Sequence, residues 1–453
     1  MEINDSSSQI RFIKKNILRI FTLGMLFLLA IPSFAAAKPT EDEITDSYLY
    51  MLGRYLLIRQ ENQDVNVEKL DYNKIKYNSP GSSEFANPNL DVVYLESWIA
   101  VDKDNAVILN VPEIKGRYYT VQFLNGWGEV LTNINDRTSP DHPYGKLAIV
   151  LKGTNPKNVP KDALKIEVPF NKVKMLARIE LKGTPDEAVR LQKMFTLEVP
   201  ANIKIAPVVS IPDFTNSKLI GSEIFSKTDE VLKSYPDSMP KAPEYQKTVK
   251  KVADYMKASA ENKKYIDNIL ETKAIPKFIE KTNGFGVEKN GWVVTYGAGE
   301  FGNDIILRDI VNYAGTWGNT TNEVIYFGGM KDVDTGQLLN GNNTYKIVFP
   351  KESLPDSMAE AFWSITLYNK PDYHVAKNAL NKYGLNNITG VQKNKDGSLT
   401  VWIGPELPKG AFQKNWIPTE KGREFILNFR LYVPKEPVKN GTWFPPVIQK
   451  VNS

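Results

Sequence analysis

The sequence predicts a β-rich α+β chain in which two antiparallel β domains are joined by a helical segment. Three observations lead there. Short apolar runs broken by turn residues fill positions 91–181. Apolar residues at helical spacing take over between Pro185 and Lys281, and strand-like runs return from Val324 to Val447. Strands, then helices, then strands are the mark of separate β layers with helices between them.

The chain opens on a leader-like segment. Arg11, Lys14, Lys15 and Arg19 precede an apolar run from Ile20 to Ile31, which Pro32 ends. Ala35, Ala36 and Ala37 follow, and cleavage after Ala35 or after Ala37 fits equally well. Basic, apolar and small residues in that order predict export to the periplasm or the extracellular space. The run is short of the roughly 20 residues a spanning helix needs. Tyr48, Met51, Leu52, Tyr55 and Leu56 then place a helix over Ile44–Gln63. Strands are expected at Val92–Val101, Ala106–Val111, Tyr118–Phe123, Leu147–Leu151 and Met175–Leu181.

Helices are expected at Pro185–Met194, with Pro185 suited to a first helical position. Others are expected at Lys218–Ser234, Glu244–Lys257, Asn262–Lys281 and Ile305–Ala314. A short strand falls at Trp292–Tyr296. The later strands are Thr344–Phe349, Phe362–Tyr368, Leu399–Ile403 and Phe425–Val433. This order divides the chain into a leader over 1–37, an N-terminal domain over 38–200, a helical connection over 201–325 and a C-terminal domain over 326–453.

Composition removes several chemistries. The chain has no cysteine, so thiol nucleophiles and zinc–thiolate sites are excluded. It has two histidines, His142 and His374, too few for a three-histidine zinc site in one chain. Both fall in turns. A net charge of +5 is too balanced to predict a nucleic-acid partner. No phosphate-loop, zinc-helix or nucleophile-elbow motif is present. One GxGxxG, Gly297 to Gly302, lacks an acidic residue after the next strand and reads as a plain loop. Ser238 and Lys241 have Ser-x-x-Lys spacing, but Pro240 between them disfavours the helical turn that would align the pair. No cofactor is evident, and a divalent cation held by oxygen ligands alone stays open.

A set of motifs ties the two halves to a known pair of domains. Asn87-Pro88-Asn89-Leu90-Asp91-Val92-Val93-Tyr94, Val111-Pro112 and Gly116-Arg117-Tyr118-Tyr119 stand in the first half. Asp334-Thr335-Gly336, Phe362 to Tyr368, Asp396-Gly397-Ser398-Leu399, Asn415-Trp416-Ile417-Pro418, Arg430-Leu431-Tyr432 and Trp443-Phe444-Pro445-Pro446 stand in the second. The first set resembles domain of unknown function 1254 and the second resembles domain of unknown function 1214, its usual bacterial companion. Val92, Val93 and Ile417 depart from the residues more common there without changing a charge. The resemblance implies a jelly-roll-like β-sandwich for the C-terminal domain and no settled chemistry.

Two groups of residues are candidates for a site. Asp91 lies where a turn meets a strand, so Asp91 and Arg117 can pair, with Tyr94 or Tyr119 supplying a proton or stacking on a ligand. The same pair can equally be a structural ion pair that fixes strand register. In the second half, alternation leaves Tyr368, Trp402, Asn428, Arg430 and Tyr432 on faces opposite the apolar ones. If their strands are neighbours, these residues build a concave surface suited to a sugar ring or a carboxylate. Alternatively that face is covered by helices or by the first domain. The corresponding functions are an exported hydrolase or lyase acting on a carbohydrate-like or carboxylate-bearing substrate, a non-catalytic small-molecule or glycan-binding module, or a structural assembly protein.

Overall fold

The computed structural model describes residues 37–81, 89–370, 373–376 and 378–451. The leader expected over 1–37 lies outside them except for Ala37. Among the described residues no helix is long and apolar enough to cross a membrane.

Helix α1 (Glu41–Asn62) starts at a capping box: Glu43 N donates to Thr40 Oγ1, and Thr40 N donates to the Glu43 carboxylate. It is buried on nearly every side, as its lack of a polar stripe requires. A single π-helical turn, Gln63–Val67, continues it and carries Asp64 into the interior.

Nine strands follow in the N-terminal half: β1 (Lys76–Tyr77), β2 (Val92–Ala100), β3 (Val107–Val111), β4 (Tyr119–Leu124), β5 (Val130–Ile134), β6 (Gly145–Leu151), β7 (Leu164–Val168), β8 (Lys172–Glu180) and β9 (Thr196–Glu198). They form a first sheet, β1-β2-β8-β4-β5, and a second, β7-β6-β3-β9. Every pairing is antiparallel except β6 with β7. The two sheets close on one apolar core. Val93, Leu95, Ile179 and Phe123 come from the first sheet, and Val107, Leu109, Leu147 and Ile149 from the second.

Helix α2 (Pro185–Lys193) lies between β8 and β9. The helices α3 (Thr228–Lys233), α4 (Ala242–Ala258), α5 (Ala260–Ile269), α6 (Ile275–Gly284) and α7 (Ile305–Ala314) share one core with α1, which contacts α4 and α7 directly. The helix expected over Lys218–Ser234 is reduced to a 3₁₀ turn at Ser222–Phe225 and the six residues of α3. Ile224 and Phe225 of the 3₁₀ turn and Val231 and Leu232 of α3 are all buried in the helical core.

The C-terminal half holds β10 (Val287–Lys289), β11 (Trp292–Val294), β12 (Val324–Gly329), β13 (Tyr345–Phe349), β14 (Ala359–Asn369), β15 (Gly384–Asn386), β16 (Leu399–Gly404), β17 (Trp416–Pro418), β18 (Phe425–Pro434) and β19 (Gln449–Lys450). A third sheet, β10-β11-β12-β18-β14-β15, faces a fourth, β17-β16-β13-β19. Their shared core joins Phe425, Leu427 and Phe429 to Tyr345, Ile347 and Val401. The fold is therefore β-rich, with several antiparallel sheets and a helical layer.

The helical layer is packed closely enough to need a glycine. A Cβ on Gly53 of α1 would lie 2.6 Å from Asp309 Oδ1 on α7. Gly53→Ala is expected to destabilise the protein by about 1–3 kcal/mol, read by denaturant unfolding, because α1 and α7 must separate. Wild-type stability in the variant would contradict this packing.

Candidate functional site

The outer face of the first sheet is polar yet buried. Along β8, Val173, Met175, Ala177 and Ile179 enter the sandwich core. Lys172, Lys174, Arg178 and Glu180 alternate with them, and all four are buried too. Two different partners cover this face.

Near one end the cover is helical. Lys174, with no exposed surface, bonds Glu96 at 2.7 Å and Asp64 at 3.0 Å. Its ammonium also sits over Trp98 and Trp317, 5.1 and 5.3 Å from the ring centres. At the other end the cover is the third sheet. Tyr94, Arg178 and Thr120 stand side by side in register on the first sheet. Tyr326, Arg430 and Ser364 do the same on the third.

Rings close this second contact. Tyr432 stacks on Phe362 at 4.1 Å, and Tyr118 meets both rings edge-on. Arg178 Nη2 donates to Gln122 Oε1 at 2.7 Å, and its guanidinium lies 5.5 Å from the Tyr94 ring. Arg430 donates to Tyr368 OH at 2.9 Å and to Thr366 Oγ1 at 3.2 Å. Glu323 accepts from Tyr118 OH at 2.8 Å, Arg137 at 2.9 Å and Asn135 at 3.0 Å. Burial holds the phenols of Tyr118 and Tyr432 well above their ordinary range, so both stay protonated at neutral pH.

A cleft of about 590 Å³ adjoins this contact, between the start of β2 and residues 380–386. Asp91, Thr366, Lys382, Tyr383, Asn386 and Lys414 are among its walls. Asp91 N donates to Asn89 Oδ1, closing a local turn, and Asp91 Oδ1 accepts from Asn386 Nδ2 at 2.9 Å. Asp91 Oδ2 is buried and finds no partner among the described residues. Thr366 ties the cleft to Arg430 behind it. Lys382 Nζ donates to the carbonyls of Gln413 at 2.7 Å and Lys414 at 3.2 Å, and burial lowers its pKa. Among the described residues no group of three or more histidine, aspartate or glutamate side chains is placed to hold a metal ion.

Residues 72–199 match the family described as protein of unknown function DUF1254, and residues 323–436 match the one described as protein of unknown function DUF1214. The chain carries both matches in that order and resembles the family that joins these two domains. The crystal structure of the VPA0106 protein from Vibrio parahaemolyticus is similar over 91% of this chain and 100% of that one, at 19% identity and a TM-score of 0.69. An uncharacterized protein from Burkholderia cenocepacia matches over 91% of this chain and 95% of that one, at 13% identity and a TM-score of 0.44. The first likeness is one of fold alone. No curated protein matches the chain.

In this DUF1254–DUF1214 chain the expected Asp91–Arg117 pair does not form. Strand β8 lies between β2 and β4, so Asp91 and Arg117 flank it on opposite sides. Arg117 instead donates to the carbonyls of Glu180 at 2.8 Å and Leu181 at 3.2 Å, and to Thr184 Oγ1 at 2.8 Å. Tyr119 belongs to the sandwich core, and its hydroxyl donates to Pro143 O at 2.9 Å. Tyr94 does lie in the contact between the sheets.

The open concave surface is also absent. Tyr368, Asn428, Arg430 and Tyr432 share the third sheet, but the first sheet covers Arg430 and Tyr432. Trp402 is on β16 of the fourth sheet, paired with Lys346 and Trp416. The His142 ring donates to Lys146 O at 3.1 Å within its turn, and the glycine loop at 297–302 packs on β5 through Val130. Sequence reading missed Lys382, Asn386 and the role of Arg178. The alternating cations of β8, facing Tyr94 and Trp98 on β2, were the available signal.

Glu180 gives this region a pH dependence. Its Oε2 accepts from Tyr118 N at 2.9 Å, yet burial raises its pKa above the ordinary 4.5. The folded chain therefore holds this proton more tightly than the unfolded one. Its contribution to stability is complete below about 4.5 and is lost as pH rises through the folded value. Glu180→Gln should flatten the fall of melting temperature with pH above that point, and parallel curves for the two proteins would contradict the assignment.

Proposed function

We propose that the protein binds an acidic, carbohydrate-like ligand in the cleft beside Asp91. The observation that carries this reading is Asp91 Oδ2, a buried acceptor without a partner among the described residues, at the wall of a cleft of ligand size. Leaving such an oxygen unsatisfied is costly, and a ligand hydroxyl would satisfy it. Asn386 and Asn381 line the same cleft and can serve further hydroxyls. Lys382 and Lys414 add positive charge suited to a carboxylate on the ligand, and the Tyr383 ring offers a flat wall.

One observation favours a second, catalytic reading. Burial lowers the pKa of Lys382, which brings its amine nearer to the role of proton acceptor. A lyase step would have Lys382 take the proton next to a ligand carboxylate, the C–H electron pair form a C=C bond, and the β-oxygen leave with its bonding pair and take a proton from solvent. A hydrolase of the two-carboxylate kind has less support, because Asp91 is the one carboxylate among the described residues lining the cleft.

Asp91→Asn tests the binding reading. The variant keeps an acceptor for Asn386 and replaces the free oxygen with a donor, so the fold is expected to stand. In a thermal-shift screen, galacturonate or glucuronate should stabilise the wild type, as a ligand of the folded state must. The variant should bind about tenfold or more weakly, at an unchanged melting temperature of its own. Equal stabilisation of both proteins, or none of the wild type by any acidic or neutral sugar, would reject the proposal.

A further inference from the structure

A second cleft, of about 380 Å³, lies where α1 and α3 meet β8 and residues 206–209. Arg54, on α1, lines it and is 3% exposed. Two hydrogen bonds hold the guanidinium: Nη1 donates to Gly126 O at 2.7 Å and Nη2 to Ser234 Oγ at 3.0 Å. Nε is buried with no partner among the described residues. Both acceptors are neutral; the Tyr235 ring lies 5.7 Å from the guanidinium, and the nearby carboxylate, Glu61, is bonded to Lys172 and not to Arg54. A buried guanidinium cannot shed its proton to escape this cost.

The other charges of the cleft are already matched. Glu61 accepts from Lys172 at 2.9 Å and from Tyr72 OH at 2.6 Å. Lys172 also donates to Tyr72 OH at 3.0 Å and Pro207 O at 3.2 Å, which uses all three of its hydrogens. Glu230 and Lys233 stand exposed at the rim with opposite signs. With Arg54, Lys172 and Lys233 set against Glu61 and Glu230, the cleft carries one net positive charge, and Arg54 is the cation with no carboxylate bonded to it.

The remaining walls are mostly apolar, apart from the Tyr235 hydroxyl, which is buried with no partner among the described residues. Phe170 and Tyr235 meet at 5.0 Å, and Val208, Val209 and Pro207 lie across from them in the chain segment after β9. Gly126 shapes this end, since a Cβ there would lie 2.4 Å from the Tyr235 ring. Its lack of a side chain lets the ring lie on the backbone whose carbonyl takes Arg54. Such a cleft matches a ligand with one anionic head and a hydrophobic body.

We propose that this cleft is a second binding site, which takes a small organic monocarboxylate, aromatic or aliphatic, on the Arg54 guanidinium. The carboxylate would supply the missing charge and accept from the free Nε–H. Its body would cover Phe170, Tyr235 and Val208.

Benzoate and hexanoate are suitable probes, with benzyl alcohol as the uncharged control and inorganic phosphate as the bare anion. Calorimetry on the full chain should show benzoate or hexanoate binding, with benzyl alcohol and phosphate at least about tenfold weaker. Val208→Trp fills the cleft without touching Arg54, and it should abolish binding while leaving the melting temperature within a few degrees. Arg54→Met should also abolish it, and where that variant fails to fold, Val208→Trp decides. Asp91→Asn should leave benzoate binding unchanged, which separates this site from the first cleft. No binding of either carboxylate, equal binding of benzyl alcohol, binding that survives Val208→Trp, or binding lost in Asp91→Asn would each overturn the proposal.

Discussion

Two β-sandwiches meet through faces that bury guanidinium groups beside an apolar cluster. Arg178 and Arg430 are each 2% exposed, one on either side of the contact. Burying a guanidinium is expensive unless dipoles replace its water. The surrounding groups do this as neutral donors and acceptors: Gln122 for Arg178, and Thr366 and Tyr368 for Arg430. Tyr118, Phe362 and Tyr432 form the apolar part of the same contact. Everything that joins the halves must respect this arrangement, because removing one sheet would strand the charges of the other.

The first sheet is therefore the centre of the molecule. One of its faces builds the N-terminal sandwich, and the other serves two covers at once. At the Arg178 end the cover is the third sheet. At the Lys174 end it is the helical layer, where Asp64 from the π-helical turn and Glu96 from β2 neutralise the ammonium. A π-helical turn places one residue more per turn than an α-helix and often marks a site under functional or packing demand. Here it delivers Asp64 to both Lys174 and Trp98 Nε1.

Both clefts lie where these covers stop. The first, beside Asp91, adjoins the contact between the sandwiches, and Thr366 links its wall to Arg430. The second borders the helical cover, with Lys172 of β8 in its wall and Arg54 of α1 beside it. In each, a buried polar atom is left without a protein partner among the described residues: Asp91 Oδ2 in one and Arg54 Nε in the other. The opposite signs of these groups imply ligands that bind through different chemistry.

The sequence by itself determined the fold class and most elements, because periodicity is local. Apolar runs at Val92–Val101 and Met175–Leu181 marked strands, which the structure ends at Ala100 and starts three residues earlier at Lys172, and the spacing in α1, α4 and α7 marked helices. It also placed Asn428, Arg430 and Tyr432 on one face of their strand, since a period of two does so within a strand, but that Tyr368 joins them depends on the pairing of β14 with β18. Strand order was not legible. Nothing local says that β8 separates β2 from β4, so an Asp91–Arg117 pair and a Trp402 beside Arg430 were equally consistent with the pattern. Nor does polarity reveal burial: the pattern left the Arg430 face either open to a ligand or covered, and it said nothing of the burial of Lys174 and Arg178. Only the tertiary structure decided that these cations are enclosed, because their cover comes from residues more than a hundred positions away.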